Sequence, residues 1–205
     1  MLNLPIQTKY VLGPLIVLIV AIILQFFEPT SSDWMAYDRE KIDSLELWRL
    51  ISANFLHTNL NHLLLNGLGV ILLWALHGAY YTNRHYLILF LLISLGCTLG
   101  IYFFAERLSW YVGLSGTLHG FFITGAYFDI RHGVKSGWLL LIGVWLKIAH
   151  EQWIGPSADV VELIGADVAI EAHLFGAIGG MFAILYYVMV SRQRTNITPE
   201  KRQSY

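Results

Sequence analysis

Three apolar runs constrain the fold more than any other feature of the chain. Val11–Phe27, Leu87–Ala105 and Ala169–Val190 are each long enough, or nearly so, to cross a hydrocarbon core. That core is about 30 Å thick, and a helix rises about 1.5 Å per residue. Hydrophobic residues make up 56% of the 205 positions and charged residues only 13%, outside the range of a soluble domain of this length. The reading is a polytopic membrane protein of the all-α class. Six spans fit the pattern, at about 10–27, 60–79, 86–104, 115–129, 137–154 and 169–190. They form one domain over 1–205, with a loose polar tail from about 191 to 205. No internal repeat is present.

The remaining composition removes other classes. A net charge of −1 gives no basic footprint for nucleic acid. The single Cys97 lies in an apolar run, so neither an internal disulfide nor a cysteine metal cluster is expected. The His, Asp and Glu spacings match no HExxH pattern, and neither a metal nor a cofactor is expected. The first run lacks a small-residue cleavage site, so it reads as a retained helix.

Placing both termini on one side gathers Lys9, Arg84, Arg131, Lys135, Arg192, Arg194, Lys201 and Arg202 there, against Arg39, Lys41, Arg49 and Arg107 on the other. By the positive-inside rule both termini are cytoplasmic. The fourth span is too short to reach the outer surface. The loop before it, around Trp110–Gly113, must therefore dip into the membrane, where irregular backbone survives only inside protein or beside a water-filled cavity.

Polar and ionisable groups inside spans are functional candidates because lipid makes them expensive. Here they are His62, Asn66, Ser115, His119, Lys147, His150, Glu151 and His173. At the helical rise, Ser115 stands about 24 Å above Arg131, His173 about 28 Å above Arg192 and His62 about 24 Å above Gly78, with Asn66 one turn deeper. Four polar groups from three helices thus share one layer near the outer face. Ser115 precedes Gly116-Thr117-Leu118-His119-Gly120, and His173 precedes Gly176-Ala177-Ile178-Gly179-Gly180. Small residues four apart let two helices approach closely in lipid, as a hydroxyl and an imidazole with short side chains require. The same glycines also suit ordinary membrane packing. Ser115 opens a helix, whose first amide hydrogens lack partners and point outward. His62 and Asn66 share a helix face, fit either for oxyanion donation or for polar contacts between helices.

Taken together, several motifs resemble those of the rhomboid intramembrane proteases. Trp48-Arg49 followed by His62-Leu-Leu-Leu-Asn66 is similar to the family's first loop and second helix. Gly113-Leu114-Ser115-Gly116 resembles its GxSG, and Ala172-His173-Leu-Phe-Gly176-Ala-Ile-Gly-Gly180 resembles its last helix. The motifs run in order across residues 46–180. The resemblance implies a six-helix bundle and a catalytic pair, Ser115 and His173, without a third acid. It implies an oxyanion hole from His62, Asn66 and the Ser115 amide. It also implies cleavage of membrane-anchored substrates, with water entering from the outer face.

Many rhomboids carry a tyrosine one turn after the serine, supporting the catalytic histidine; here that position is His119. Gly113–Gly120 together with His150-Glu151 resembles the rhombosortase branch of the superfamily. That likeness implies substrates with one transmembrane segment and a C-terminal glycine-rich sorting signal, in a bacterial inner membrane. His119 supports His173, stabilises charge in the site, or is a packing histidine bonded to a backbone carbonyl. His150 and Glu151 line a substrate gate on the fifth span or mark its solvated outer end. Arg49 and Trp48 anchor the first loop. The alternatives are a general rhomboid protease in membrane-protein turnover and a non-catalytic rhomboid-like binder of helices. A small transporter is a further option, but the chain has no paired halves.

Overall fold

The computed structural model describes residues 4–196. Six long helices lie near the predicted spans. They are α1 (Thr8–Phe26), α5 (Leu60–His77), α6 (Asn83–Phe104), α7 (Ser115–Arg131), α8 (Ser136–Ile154) and α10 (Ile170–Asn196). Four of them, α1, α5 with the turn that follows it, α6 and α10, are long and apolar enough to cross a membrane by length and composition alone. The other two fall outside that group. α7 has only 17 residues, and its sequence carries Ser115, Thr117, His119, Thr124, Asp129 and Arg131. α8 has 19 residues and keeps Lys147 and Glu151 within them. The tail expected to be loose from 191 is helical in backbone as far as Asn196; 197–205 lie outside the described residues.

Large side chains on the outer faces of the long helices remain exposed, among them Ile19, Ile23, Leu68, Leu72, Leu139, Leu146 and Leu185. No water-soluble domain leaves so continuous an apolar surface uncovered; lipid is its solvent. The interior is correspondingly small and polar in places. The main core joins Val17, Val70, Ile93, Leu114, Phe121 and Ala183 from α1, α5, α6, α7 and α10. Hydroxyls also stitch elements together: Thr98 donates to the Leu50 carbonyl at 2.6 Å, and Thr117 donates to Asn54 Oδ1 at 2.9 Å.

α7 and α10 touch backbone to backbone. A Cβ added at Gly176 would fall 1.9 Å from the Gly116 carbonyl oxygen, and one at Gly180 would fall 2.5 Å from that of Gly120. Only glycine permits this crossing, which is the close approach that the paired GxxxG spacing allows.

The first loop is a folded cap. It carries α2 (Thr30–Met35), β1 (Tyr37–Asp38), α3 (Arg39–Asp43) and α4 (Arg49–Ser52). Arg49 is 2% exposed. Its guanidinium donates to the Ala36 carbonyl at 2.8 Å, the Asp33 carbonyl at 2.9 Å and Glu46 Oε2 at 2.6 Å. A buried cation is tolerable when its donors are matched in this way. Trp48 donates its indole N–H to the Trp34 carbonyl at 3.0 Å. The anchoring role expected of Arg49 and Trp48 is therefore met by backbone carbonyls of the same loop.

The chain before α7 is the predicted irregular segment. β2 (Trp110–Tyr111) pairs antiparallel with β1, Tyr37 opposite Tyr111. Tyr111 through Leu114 are buried. The Gly113 N–H donates to the Ala53 carbonyl at 3.1 Å, and the Tyr111 hydroxyl donates to the Gly113 carbonyl. Protein groups satisfy this backbone, as membrane depth demands.

Candidate active site

Ser115 is the first residue of α7 and His173 lies in the first turn of α10. The glycine crossing brings these two helix ends together. His173 Nε2 stands 2.9 Å from Ser115 Oγ. On the other edge of the ring, Nδ1 stands 2.8 Å from Glu151 Oε2. A carboxylate accepts, so Nδ1 carries the proton. Nε2 is then the free acceptor and receives the Ser115 O–H. The resemblance implies a pair without a third acid; the geometry instead sets an acid against the imidazole.

Glu151 is 9% exposed. Its second oxygen, Oε1, accepts from Lys147 Nζ at 2.6 Å, one turn back on α8. The Lys147 side chain is half exposed, so its charge sits at the mouth of the site and offsets that of the carboxylate. His150, one residue before Glu151, is exposed and does not line the site. The two residues do not act as a pair.

His119 lies one turn after Ser115. Its ring stacks on His173, with centroids 4.2 Å apart and planes 21° apart. Its Nδ1–H donates to the Ser115 carbonyl at 2.8 Å. The carbonyl bond holds the ring, and the held ring lies flat against the imidazole.

His62 and Asn66 project from α5. Asn59 caps this helix by accepting from the His62 N–H at 2.8 Å. His62 Nδ1 lies 3.1 Å from the Thr58 hydroxyl. Gly113 separates His62 from Ser115. Its φ of +139° suits glycine, and a Cβ there would sit 3.2 Å from His62 Nε2 and 4.0 Å from Ser115 Oγ. The side-chain-free face of Gly113 therefore keeps the space between histidine and serine open. Asn66 is 4% exposed, and its amide nitrogen has no hydrogen-bond partner among the described residues. A buried unpaired donor is costly unless a ligand group satisfies it. Behind His62, His57 packs edge-on with centroids 5.0 Å apart. Burial, and then His62, push His57 down to about 3, so it is neutral near pH 7.

Ser115, His173, Glu151, His119, His62 and Asn66 line a cavity of about 670 Å³. Its wall is mostly apolar, with Leu65, Leu118 and Phe122 among its members. Its roof is α9 (Ala158–Ile164) with the residues on either side. Thr58 ties the roof down by donating its hydroxyl to the Ile164 carbonyl at 2.7 Å. Asn59 and Asn61 reach the Leu163 carbonyl at 3.3 and 3.4 Å. Sequence reasoning missed this roof helix. Gly165 in the left-handed conformation at its end was its one legible signal.

His119, Glu151 and His173 place one potential ligand atom each within 4.8 Å of one another. The spacing would suit a metal ion. The electrostatics would not, because Lys147 already neutralises the carboxylate and both His173 nitrogens have protein partners.

A hydroxyl, an imidazole backed by a carboxylate and an unpartnered amide thus meet at one cavity, a set of groups that could serve acyl transfer. A search of curated proteins found no match. The family model of the Rhomboid domain matches residues 44–190, the span that carries α4 of the first-loop cap, the helix ends that bear Ser115 and His173, and the roof. This chain belongs to the rhomboid family, whose members are serine proteases that act within membranes.

Proposed function

We propose that the chain is an intramembrane serine endopeptidase with Ser115 as nucleophile and His173 as general base. The observation that carries the reading is the 2.9 Å contact between Ser115 Oγ and His173 Nε2 at the wall of a 670 Å³ cavity. His173 takes the Ser115 proton as the serine oxygen bonds to a peptide carbonyl carbon. The oxyanion sits beside Gly113 and accepts from His62, Asn66 and the Ser115 N–H, donors that are worth more in an enclosed site than in water. His173 then passes the proton to the leaving nitrogen as the C–N bond breaks. Water, giving up a proton to the same imidazole, bonds to the acyl carbon, and His173 returns that proton to the Ser115 oxygen as the acyl C–O bond breaks. The unpartnered Asn66 amide supports the oxyanion assignment. The stacked ring of His119 supports the tyrosine-like role assigned to it.

The substrates on this reading are proteins anchored by one transmembrane segment, cut near the outer interface of a bacterial inner membrane. On this reading all six long helices lie in the bilayer, α7 crossing only part of it, and both termini are cytoplasmic by the distribution of Lys and Arg. The scissile region is the glycine-rich signal of a C-terminal anchor. A protease binds its target extended, and glycine is the ordinary residue that helices favour least. The alternative within the family is a general protease for membrane-protein turnover. A reporter exported ahead of such an anchor separates the two. Processing should require Ser115 and stop when the glycines become leucine. Equal processing of the leucine version would exclude the sorting-signal specificity and leave the general protease. Retained processing by Ser115→Ala would exclude the nucleophile.

A further inference from the structure

We propose that Glu151, held by Lys147, is the third member of the catalytic relay: a positioning residue that sets the tautomer and orientation of His173. The proposal rests on the reading of Ser115 as nucleophile and His173 as base.

The geometry is a continuous line of hydrogen bonds. Lys147 Nζ reaches Glu151 Oε1 at 2.6 Å, Glu151 Oε2 reaches His173 Nδ1 at 2.8 Å, and His173 Nε2 reaches Ser115 Oγ at 2.9 Å. A neutral imidazole carries one ring proton, and only the tautomer protonated at Nδ1 can accept from serine at Nε2. A carboxylate facing Nδ1 selects that tautomer. When His173 takes the serine proton, the same carboxylate lies against the new positive charge and stabilises it. No proton passes to Glu151 in the cycle; the proton from Ser115 stays on Nε2 until the leaving nitrogen takes it.

A mostly buried carboxylate in a membrane helix is expensive, so its position needs an account. Structural neutralisation alone would be met by Lys147, which shares its helix at i,i+4. The second oxygen is turned instead to a ring on another helix, at a length suited to a charge-assisted bond. His119 holds the flat side of the same ring. The imidazole is thereby fixed in plane by Glu151 and out of plane by His119. Rotation about its side-chain bonds, which would carry Nε2 away from Ser115, is opposed in both directions.

The test uses the purified full chain in lipid vesicles. The readout is the rate at which a fluorophosphonate labels Ser115, with cleavage of the single-span reporter alongside. Glu151→Gln preserves shape but removes the charge. It should slow labelling on the order of a hundred- to ten-thousand-fold, and lower kcat with KM little changed, because both carboxylate oxygens are engaged by Lys147 and His173. Glu151→Asp should recover part of the loss. Glu151→Ala should regain labelling, in a saturable way, when formate is added, since Glu151 lines the cavity. Labelling by Glu151→Gln within about threefold of the wild-type rate would overturn the proposal. So would a Glu151→Ala protein indifferent to formate, or loss of the folded state in both the Gln and Ala variants, which would make the residue structural. A wild-type protein that does not label at all would instead overturn the protease reading, and this proposal with it.

Discussion

Two histidine–carboxylate pairs with different surroundings flank the ends of α7, the N-terminal end beside the cavity (the outer end for short) and the C-terminal end (the inner). At the outer end His173 meets Glu151 at 2.8 Å. At the inner end His77 meets Asp129 at 3.2 Å. Both histidines are buried, and both carboxylates have a second partner: Lys147 for Glu151, and the Tyr80 hydroxyl, at 2.7 Å, for Asp129. The pairs part company on the far side of the imidazole. His173 turns its remaining nitrogen to a serine hydroxyl in a cavity. His77 turns its ring against the backbone at Gly125, where a Cβ would lie 2.4 Å from Nδ1, and Tyr80 stacks on His132 nearby with centroids 4.9 Å apart. The inner groups are absent from the cavity lining. A buried histidine–carboxylate pair is therefore not in itself a chemical site. Room for a reacting atom, and a serine hydroxyl within reach, distinguish the outer pair.

Substitutions at five residues test that contrast, in falling order of expected effect on turnover. Ser115→Ala or His173→Ala should abolish reporter cleavage in a folded protein, and the double variant should lose little more than either single one, because the pair acts as a unit. Near-normal cleavage by purified Ser115→Ala would erase the distinction between the two ends. Asn66→Ala should lower kcat by roughly one to three powers of ten, the span associated with a lost oxyanion donor; a change confined to KM would make Asn66 a binding residue. His119 should show a smaller, graded effect. If stacking is its contribution, His119→Tyr keeps most of the rate and His119→Ala loses roughly tenfold or more, the size of a positioning defect. Full activity of the Ala variant would reduce the residue to packing. Asp129→Asn should leave kcat unchanged yet lower the melting temperature by several degrees, as expected for about 1–3 kcal/mol lost from a buried polar network. A rate defect there, in a protein that still melts normally, would show that the inner pair is coupled to the outer one.

The reach of sequence reasoning follows the same division. Apolar period and length located the six long helices to within a few residues, because lipid demands uninterrupted helical hydrogen bonding over a fixed thickness. Depth along each helix then put Ser115, His62, Asn66 and His173 in one layer, and the structure brings them to one cavity. Depth is blind to rotation. Successive residues of a helix point about 100° apart, so the pattern around 147–151 could not say which of His150 and Glu151 turns inward. The answer depends on how α8 packs against α7 and α10. The β1–β2 pairing and the roof helix α9 are short elements held by contacts distant in sequence. Thr58 to Ile164 spans a separation of 106 residues, and no local signal carries such a pairing.

The glycine crossing of α7 and α10 has a mechanical consequence. Side chains between helices act as soft spacers, since they change rotamer and take up small displacements. Between Gly116 and Gly176 there is no spacer, only carbonyl and Cα in hard contact. The separation of the helix ends that carry Ser115 and His173 is thus a gauge length set by atomic radii. Changes of temperature or bilayer thickness should be taken up in tilts and contacts elsewhere in the bundle before they alter it. A substrate that has to pry the bundle open should do so elsewhere than at this crossing, while the two helices that carry Ser115 and His173 keep their distance.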